Sequence, residues 1–129
     1  MNRGKAMNIE KTRKYYESLK DEDVCDCEWC QNFIFQIKEA YPEVTKYLDG
    51  IGVNIEKPYE SWSLDPDENG NVLYPDVMYE VMGSSEGFIP TKIGDVDIHL
   101  AKSYPYSDLK EEHFVIELSS FLLKDLRKK

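Results

Sequence analysis

All three cysteines of the chain fall within six residues, Cys25-Asp26-Cys27-Glu28-Trp29-Cys30. Cys27 and Cys30 are three residues apart, so on a helix their sulfurs lie on one face, about one turn apart. Cys25 lies two residues upstream and can fold back over the same point. Three thiolates so placed can bind one zinc ion at Zn–S distances of about 2.3 Å, and a tetrahedral site then needs a fourth ligand. A zinc site at the start of a helix is the first interpretation of this cluster.

Several groups could supply the fourth ligand of such a site. The candidates are His99, His113, Asp21, Asp23 or a water molecule, and the sequence does not decide between them. We place His113 with Cys25, Cys27 and Cys30 in the candidate metal set.

Two other interpretations of the cysteines stay open. Cys27 and Cys30 have the two-residue spacing of dithiol oxidoreductases, and a helix N-terminus favours a thiolate. The acidic residues around the cluster oppose this use, because negative charge is expected to raise thiol pKa values while attracting a divalent cation. A polar segment also precedes the cluster, where a thioredoxin-type motif follows a strand. In the third interpretation the thiols are small core residues that pack beside Trp29 and Phe33.

An acidic segment between two predicted strands resembles a calcium-binding loop. Asp65, Asp67, Asn69, Gly70 and Asp76 fall at positions 1, 3, 5, 6 and 12 of the calcium-loop pattern. Position 12 is normally a bidentate glutamate, and the flanking residues have the pattern of strands rather than helices. A hairpin turn that reverses at Asn69 and Gly70 explains the same residues more simply, and a weak oxygen-ligand cation site is the alternative.

No catalytic residue is assigned. The chain has two histidines and lacks the GxSxG, P-loop and dinucleotide-binding patterns. His99 near Asp97, and His113 after Glu111 and Glu112, could each act as a base oriented by a carboxylate, but a surface histidine is the commoner outcome. We therefore favour a protein that is not an enzyme.

A helical N-terminal third must position the cysteines. A short helix is predicted over 10–19. A longer one is predicted from Cys27, because apolar residues recur at steps of three or four: Trp29, Phe33, Ile37, Ala40, Val44 and Leu48. Pro42 is expected to divide this helix, because proline disfavours helical geometry at the residue before it. Gly50 is expected to end the second piece as a left-handed residue.

Beyond Gly52 apolar and polar residues alternate, which indicates strands. Four are predicted, over 59–64, 72–82, 91–101 and 113–122, with a turn over 104–108. Pro75 indicates a sheet edge or a bulge. The residues predicted to face the core from the last two strands are Val96, Ile98, Leu100, Phe114, Ile116 and Leu118. The fold class is therefore α+β, a helical N-terminal third packed on a C-terminal antiparallel sheet of about four strands.

The composition bounds the size and the partners of the protein. Of 129 residues 41% are hydrophobic, which suffices for one core, so we expect a single domain over 1–129 with residues 1–8 flexible. The 25 acidic residues exceed the 16 basic ones, and the formal net charge is -9. Because affinity for nucleic acid comes mainly from clustered Lys and Arg, nucleic acid is not an expected partner.

Neither a secretory signal nor a membrane span is predicted. The first seven residues carry charge without a following apolar segment, and no run approaches the ~18 apolar residues of a spanning helix. The expected location is the cytoplasm, where the three thiols stay reduced. An odd cysteine count also argues against a disulfide framework.

Four segments resemble a group of short bacterial proteins that share a CxCxxCxNF motif. They are residues 25–33, Lys57-Pro58-Tyr59-Glu60, Asp67-Glu68-Asn69-Gly70 and residues 111–118. The resemblance implies a bacterial, cytoplasmic source. It implies no catalytic residue, because no activity is established for that group.

Three functional hypotheses follow from these patterns. The leading one is a non-enzymatic binding or accessory domain with structural zinc as its cofactor at Cys25, Cys27 and Cys30. The second is a thiol-dependent redox enzyme that uses Cys27 and Cys30. The third is an acidic interaction module, similar to the antidote of a basic protein partner, which predicts a tyrosine-rich or acidic concave surface. The oligomeric state is left open.

Overall fold

The computed structural model describes residues 6–102 and 109–127, and at Asp21 the backbone only. The predicted turn over 104–108 and residues 1–5 of the start lie outside the described residues, while Met7 forms a β-bridge with Gly83. The helices are α1 (Ile9–Ser18), α2 (Glu28–Ala40) and α3 (Pro42–Gly50), with a short 3-10 turn at Asp21–Asp23. The strands are β1 (Glu60–Trp62), β2 (Asn71–Met82), β3 (Thr91–Ile93), β4 (Val96–Leu100) and β5 (His113–Lys124). The α+β prediction is confirmed, with five strands where about four were expected.

The helices begin and end close to their predicted positions. Asn8 caps α1, and its side-chain oxygen accepts a hydrogen bond from the Lys11 N–H at 2.9 Å. Tyr41 closes α2 and Pro42 opens α3, so the predicted division at the proline is confirmed. Among the described residues, no helix is both long and apolar enough to cross a membrane.

The left-handed glycine that follows α3 is not the predicted one. Gly50 lies within the helix, and the left-handed residue is Gly52, at φ +87°. A Cβ built on Gly52 would lie 2.6 Å from the Ile9 carbonyl oxygen and 2.9 Å from the Arg13 nitrogen. Glycine is therefore required at position 52 because α1 passes directly over it.

The sheet is antiparallel, with strand order β1-β2-β5-β4-β3. The single strand predicted over 91–101 is two strands, β3 and β4, because Gly94, at φ +60°, and Asp95 reverse the chain between them. Val96 and Ile98 are buried as predicted. Leu100, predicted to face the core, is 38% exposed.

In the paired strands β2 and β5, the set of positions that face the core shifts by one residue at one point. The core-cluster positions of β5 shift from Phe114, Ile116 and Leu118, as predicted, to Phe121 and Leu123, while Val115 is buried outside this cluster. Ser120, between these groups, has φ +76° and lies opposite Pro75, where the ladder of paired residues is interrupted. The interruption at Pro75 agrees with the bulge alternative, whereas the edge alternative does not hold because β2 lies between β1 and β5.

Helix α1 covers the part of the β2 edge that β1 leaves unpaired. The Tyr16 hydroxyl donates to the Glu80 carbonyl at 2.7 Å, and the Met82 N–H donates to Thr12 Oγ1 at 3.0 Å. The Asn8 N–H donates to the Met82 carbonyl at 2.8 Å. These bonds occupy backbone groups that would otherwise offer an open edge to another strand.

Candidate metal centre

The structure brings the three cysteine sulfurs together at the start of α2. All three lie within 4.8 Å of one another. Cys27 immediately precedes α2, and its sulfur accepts a hydrogen bond from the Cys30 backbone N–H at 3.4 Å. Cys25 and Cys27 are exposed and Cys30 is buried. The predicted return of Cys25 over the other two sulfurs is confirmed.

The helix start favours a thiolate at Cys27. Burial acts to raise the pKa of this thiol, but hydrogen bonds from the Cys30 N–H, the Cys25 and Cys30 thiols and the Trp29 N–H outweigh it, so the pKa lies below its ordinary value. The prediction that acidic neighbours would raise thiol pKa values is therefore wrong for Cys27. The donors contact the sulfur directly, whereas the nearby carboxylates are exposed and are screened by solvent.

Cys30 has the opposite character. Burial raises the pKa of the Cys30 thiol well above its ordinary value, a contact with Ser61 opposes the rise, and the thiols of Cys25 and Cys27 add to it. The contact joins Cys30 Sγ to Ser61 Oγ of β1 at 3.6 Å. One sulfur of the cluster thus favours the thiolate, while another is held as a buried thiol against the sheet.

Long-range contacts hold the first turn of α2 in place. The Tyr74 hydroxyl donates to the Trp29 carbonyl at 2.7 Å, and the Asn32 side-chain nitrogen donates to that hydroxyl at 3.1 Å. The Arg127 guanidinium lies 3.6 Å from the centre of the Trp29 ring and donates to Glu28 Oε1 at 2.6 Å. The N–H groups that face Cys27 are therefore fixed in direction by the sheet and by the segment after β5.

Sequence reasoning did not identify Ser61, Tyr74 or Arg127 as neighbours of the site. Each contacts the cluster or its helix across at least 31 residues of sequence. The only feature of the sequence that pointed to any of them was the basic segment Lys124-Asp125-Leu126-Arg127-Lys128-Lys129, which contains Arg127.

His113, the predicted fourth ligand, contacts other groups. Its Nδ1 lies 2.8 Å from the Glu111 carbonyl oxygen, and its Nε2 lies 3.6 Å from the Glu80 carboxylate. In the sheet it pairs with Met82, whereas β1, the strand that contacts the cysteines, pairs with β2 around Val77. Five residues of strand separate these positions, about 17 Å. The structure therefore does not bring His113 to the sulfurs.

The remaining candidates for the fourth ligand also contact other groups. His99 Nε2 lies 3.1 Å from Glu117 Oε1. Asp23 accepts a hydrogen bond from the Lys20 N–H at 2.9 Å, and the side chain of Asp21 lies outside the described atoms. In the described part of the chain, the group of metal-ligating side chains at this point consists of the three cysteines. The fourth position of a metal ion here would be left to water or to a donor from another molecule.

The acidic segment before β2 is a hairpin turn. Asp67 Oδ1 accepts hydrogen bonds from the N–H groups of Asn69, at 2.8 Å, and Asn71, at 2.9 Å. The pKa of Asp67 is lowered, chiefly by the hydrogen bond from the Asn71 N–H. Gly70 has φ +77° where the chain reverses. Asp76 lies within β2, in the sheet. The hairpin interpretation is confirmed, and the Asp67 carboxylate is used inside the turn.

The tyrosines do not form an exposed surface in the described part of the chain. The described ones are all buried or half-buried: Tyr15, Tyr16, Tyr41, Tyr47, Tyr59, Tyr74 and Tyr79. Tyr104 and Tyr106 lie outside the described residues. The tyrosine-rich version of the interaction hypothesis thus finds no support among the described tyrosines, and the acidic version stays a prediction.

Comparison of the chain with protein-family models, curated proteins and solved structures found no match. The resemblance to short bacterial proteins at the cysteine motif is not extended by these comparisons. Function is therefore inferred from the geometry of the described residues.

Proposed function

We propose that the protein is a non-enzymatic binding or accessory domain that holds one zinc ion on Cys25, Cys27 and Cys30. The observation that carries the proposal is the convergence of the three sulfurs within 4.8 Å. Tetrahedral zinc with Zn–S distances of about 2.3 Å needs sulfurs about 3.8 Å apart. Because Cys25 and Cys27 are exposed and belong to the segment before the helix, small rotations of their side chains suffice to close that difference.

The chemistry of the cluster supports a divalent cation. The lowered pKa of Cys27 makes this thiol easier to deprotonate, and a bound zinc ion would deprotonate all three thiols. Three thiolates and Zn²⁺ carry a net charge of about -1, which is smaller than the charge of the thiolates alone. Asp26 and Glu28 are exposed beside the cluster and add to its attraction for a cation.

The proposed role of the metal is structural. Zinc would tie the segment before α2 to Cys30, which contacts Ser61 of β1. The fourth position lies toward solvent, where Cys25 and Cys27 are exposed, so water or a donor atom of a binding partner would fill it. A protein partner and a cytoplasmic location remain part of this proposal.

Metal analysis tests the proposal. Protein purified without chelator is expected to contain about one zinc per chain, and cobalt substitution should give the sulfur-to-cobalt charge-transfer absorption of thiolate ligands. Cys25→Ser, Cys27→Ser and Cys30→Ser should each reduce the bound zinc, whereas His113→Ala should leave it unchanged. Free zinc at 100 times its dissociation constant should raise the free energy of unfolding by about 2.7 kcal/mol. Metal-free protein of equal stability would contradict the structural role.

A dithiol redox enzyme is the second candidate, because one specific observation favours it. Cys27 has a lowered pKa at a helix start and Cys30, three residues later, is a buried thiol, which is the division of roles between attacking and resolving cysteines. A disulfide substrate would accept the two electrons as Cys27 and Cys30 form their own disulfide.

Cys25→Ser separates the two candidates. Zinc binding needs all three sulfurs, while thiol–disulfide exchange needs only Cys27 and Cys30. Reduction of a model disulfide by the wild type, retained in Cys25→Ser, would support the redox enzyme. Loss of zinc in a protein whose wild type reduces no disulfide would support the metal domain.

A further inference from the structure

A cleft with a volume of about 580 Å³ lies away from the cysteines. Helix α1, the C-terminal end of α2, α3 and the segment after α3 form its walls. Tyr16, Val53 and Ile55, each at most 3% exposed, close its floor. Its volume is in the range of small-molecule sites, and an ion held against a closed floor is less hydrated than one on an open surface.

The charge of this cleft is opposite to that of the protein. The charged residues that line it are Arg13, Lys38, Lys46, Lys57, Glu17 and Asp49, four cations and two anions. The whole chain has 16 basic and 25 acidic residues. If charged residues were placed at random, acidic side chains would outnumber basic ones in the cleft. The cleft instead concentrates positive charge where a ligand fits.

Two of the cations are fixed by backbone contacts. Lys57 Nζ donates to the carbonyls of Tyr16, at 2.9 Å, and Leu19, at 2.8 Å, at the end of α1. Arg13 Nη2 donates to the Asp49 carbonyl at 3.0 Å, near the end of α3, and Arg13 Nη1 lies 3.5 Å from the Asp49 carboxylate. These bonds set the spacing of the cleft walls, and they leave further N–H donors on both cationic groups.

The other two cations are available to a ligand. Lys38 forms an ion pair with Glu56 at 3.4 Å, but both side chains are more than one third exposed, so the pair is weak and can exchange for another anion. Among the described residues, Lys46 has no ion-pair partner. Lys38 lies eight residues beyond Cys30 in α2, about 12 Å, so the cleft is separate from the proposed zinc site.

We propose that this cleft binds a small organic anion that carries a phosphate or carboxylate group. Lys38 and Lys46 contact the anionic group directly, and Arg13 and Lys57 hold the walls at the required distance. This inference does not rest on the zinc proposal, because none of the cysteines lines the cleft.

The test is a titration of the isotope-labelled protein followed by NMR. Inorganic phosphate and citrate are the probes, and sodium chloride at matched ionic strength is the reference. Saturable shifts of the Thr45 and Asn54 amides with either probe, absent with chloride, are expected. Saturation with phosphate alone indicates a phosphate ester, and saturation with citrate alone indicates a carboxylate. The proposal is overturned if neither probe saturates.

Matched lysine variants separate specific binding from general attraction. Lys46→Gln and Lys38→Gln should each weaken binding about tenfold, the loss of one charged contact. Lys14→Gln is the control, since Lys14 lies on the exposed face of α1, paired with Glu10, and does not line the cleft. Equal weakening in Lys14→Gln would overturn the proposal, because only the net charge would then matter.

Discussion

At the scale of single residues, the cluster contains cysteines of very different reactivity. Cys27 lies at a helix start with N–H donors on its sulfur, and Cys30 is buried against Ser61. In metal-free protein near neutral pH, iodoacetamide should therefore modify Cys27 well before Cys30, because each unit of pKa difference changes the thiolate fraction about tenfold. Mass spectrometry of a time course measures both rates. Zinc should protect both residues, and faster modification of Cys30 would contradict the assignment.

A second residue-scale prediction concerns the carboxyl group of Glu117 in β5. Burial raises the pKa of Glu117, the neighbouring Asp76 carboxyl raises it further, and His99 opposes the rise. The folded protein therefore binds this proton more tightly than the unfolded chain. Stability is lost as pH rises from the ordinary pKa of a glutamate through the raised value.

Glu117→Gln removes this loss. Its free energy of unfolding relative to wild type should be more favourable at about pH 8 than at about pH 3, where the wild-type carboxyl is almost fully protonated in both states. Urea unfolding at the two pH values measures the difference. Asp97→Asn, at an exposed carboxylate of β4, is the control and should show no comparable change. A variant that loses stability at the higher pH would show that the contact with His99 outweighs burial.

The residues of the candidate site were predictable only where they are neighbours in sequence. The spacing of Cys25, Cys27 and Cys30 predicted their convergence, because one helix start positions all three. The structure does not bring His113 to the sulfurs, because its place depends on the register between β2 and β5, which periodicity does not reveal. Ser61 could not be found for the same reason.

At the scale of elements, local chemistry predicted the helices better than the strands. Pro42 divided α2 from α3 as expected, since its effect acts on adjacent residues. The two-residue turn at Gly94 and Asp95 was missed because a tight hairpin interrupts the alternating pattern very little. The phase change at Ser120 was also missed, because it depends on Pro75 in the partner strand.

The two glycines at the end of α3 give a matched test at this scale. Gly52→Ala should destabilise the protein by about 2–4 kcal/mol, because it combines a positive φ with a contact of 2.6 Å to the Ile9 carbonyl. Gly50→Ala should stabilise it by about 0.5–1 kcal/mol, since Gly50 is helical and a Cβ there meets nothing within 4 Å. Denaturant unfolding measures both. Similar losses in the two variants would contradict the close approach of α1.

At the scale of the whole molecule, the division into a helical third and a sheet was predictable, and the strand order was not. The change from helical to alternating periodicity marks the boundary between the two layers. The order β1-β2-β5-β4-β3 depends on pairings between distant segments, above all between β2 and β5. The same holds for α1, which covers the β2 edge through Thr12 and Tyr16.

The two layers are joined by the aromatic contacts of Phe121. This fully buried residue of β5 meets Phe33 of α2 at 5.5 Å and Tyr41, at the α2–α3 junction, at 4.9 Å between ring centres. Because this side chain packs against helix residues inside the core cluster shared by helices and sheet, we expect the layers to unfold together. Phe121→Ala should cost about 3–5 kcal/mol, whereas Phe35→Ala, at an 81% exposed residue of α2, should change stability by about 0.5 kcal/mol or less.

Two spectroscopic signals test whether Phe121→Ala destabilises the helices and the sheet together. Tryptophan fluorescence reports Trp29 in α2 and Trp62 in β1, while far-ultraviolet circular dichroism reports the backbone. In Phe121→Ala both signals should move to the same lower denaturant midpoint, since the core that couples helices and sheet is weakened for both. If fluorescence and circular dichroism give separate midpoints in the wild type, unfolding is not two-state, and the expected joint unfolding of helices and sheet is wrong.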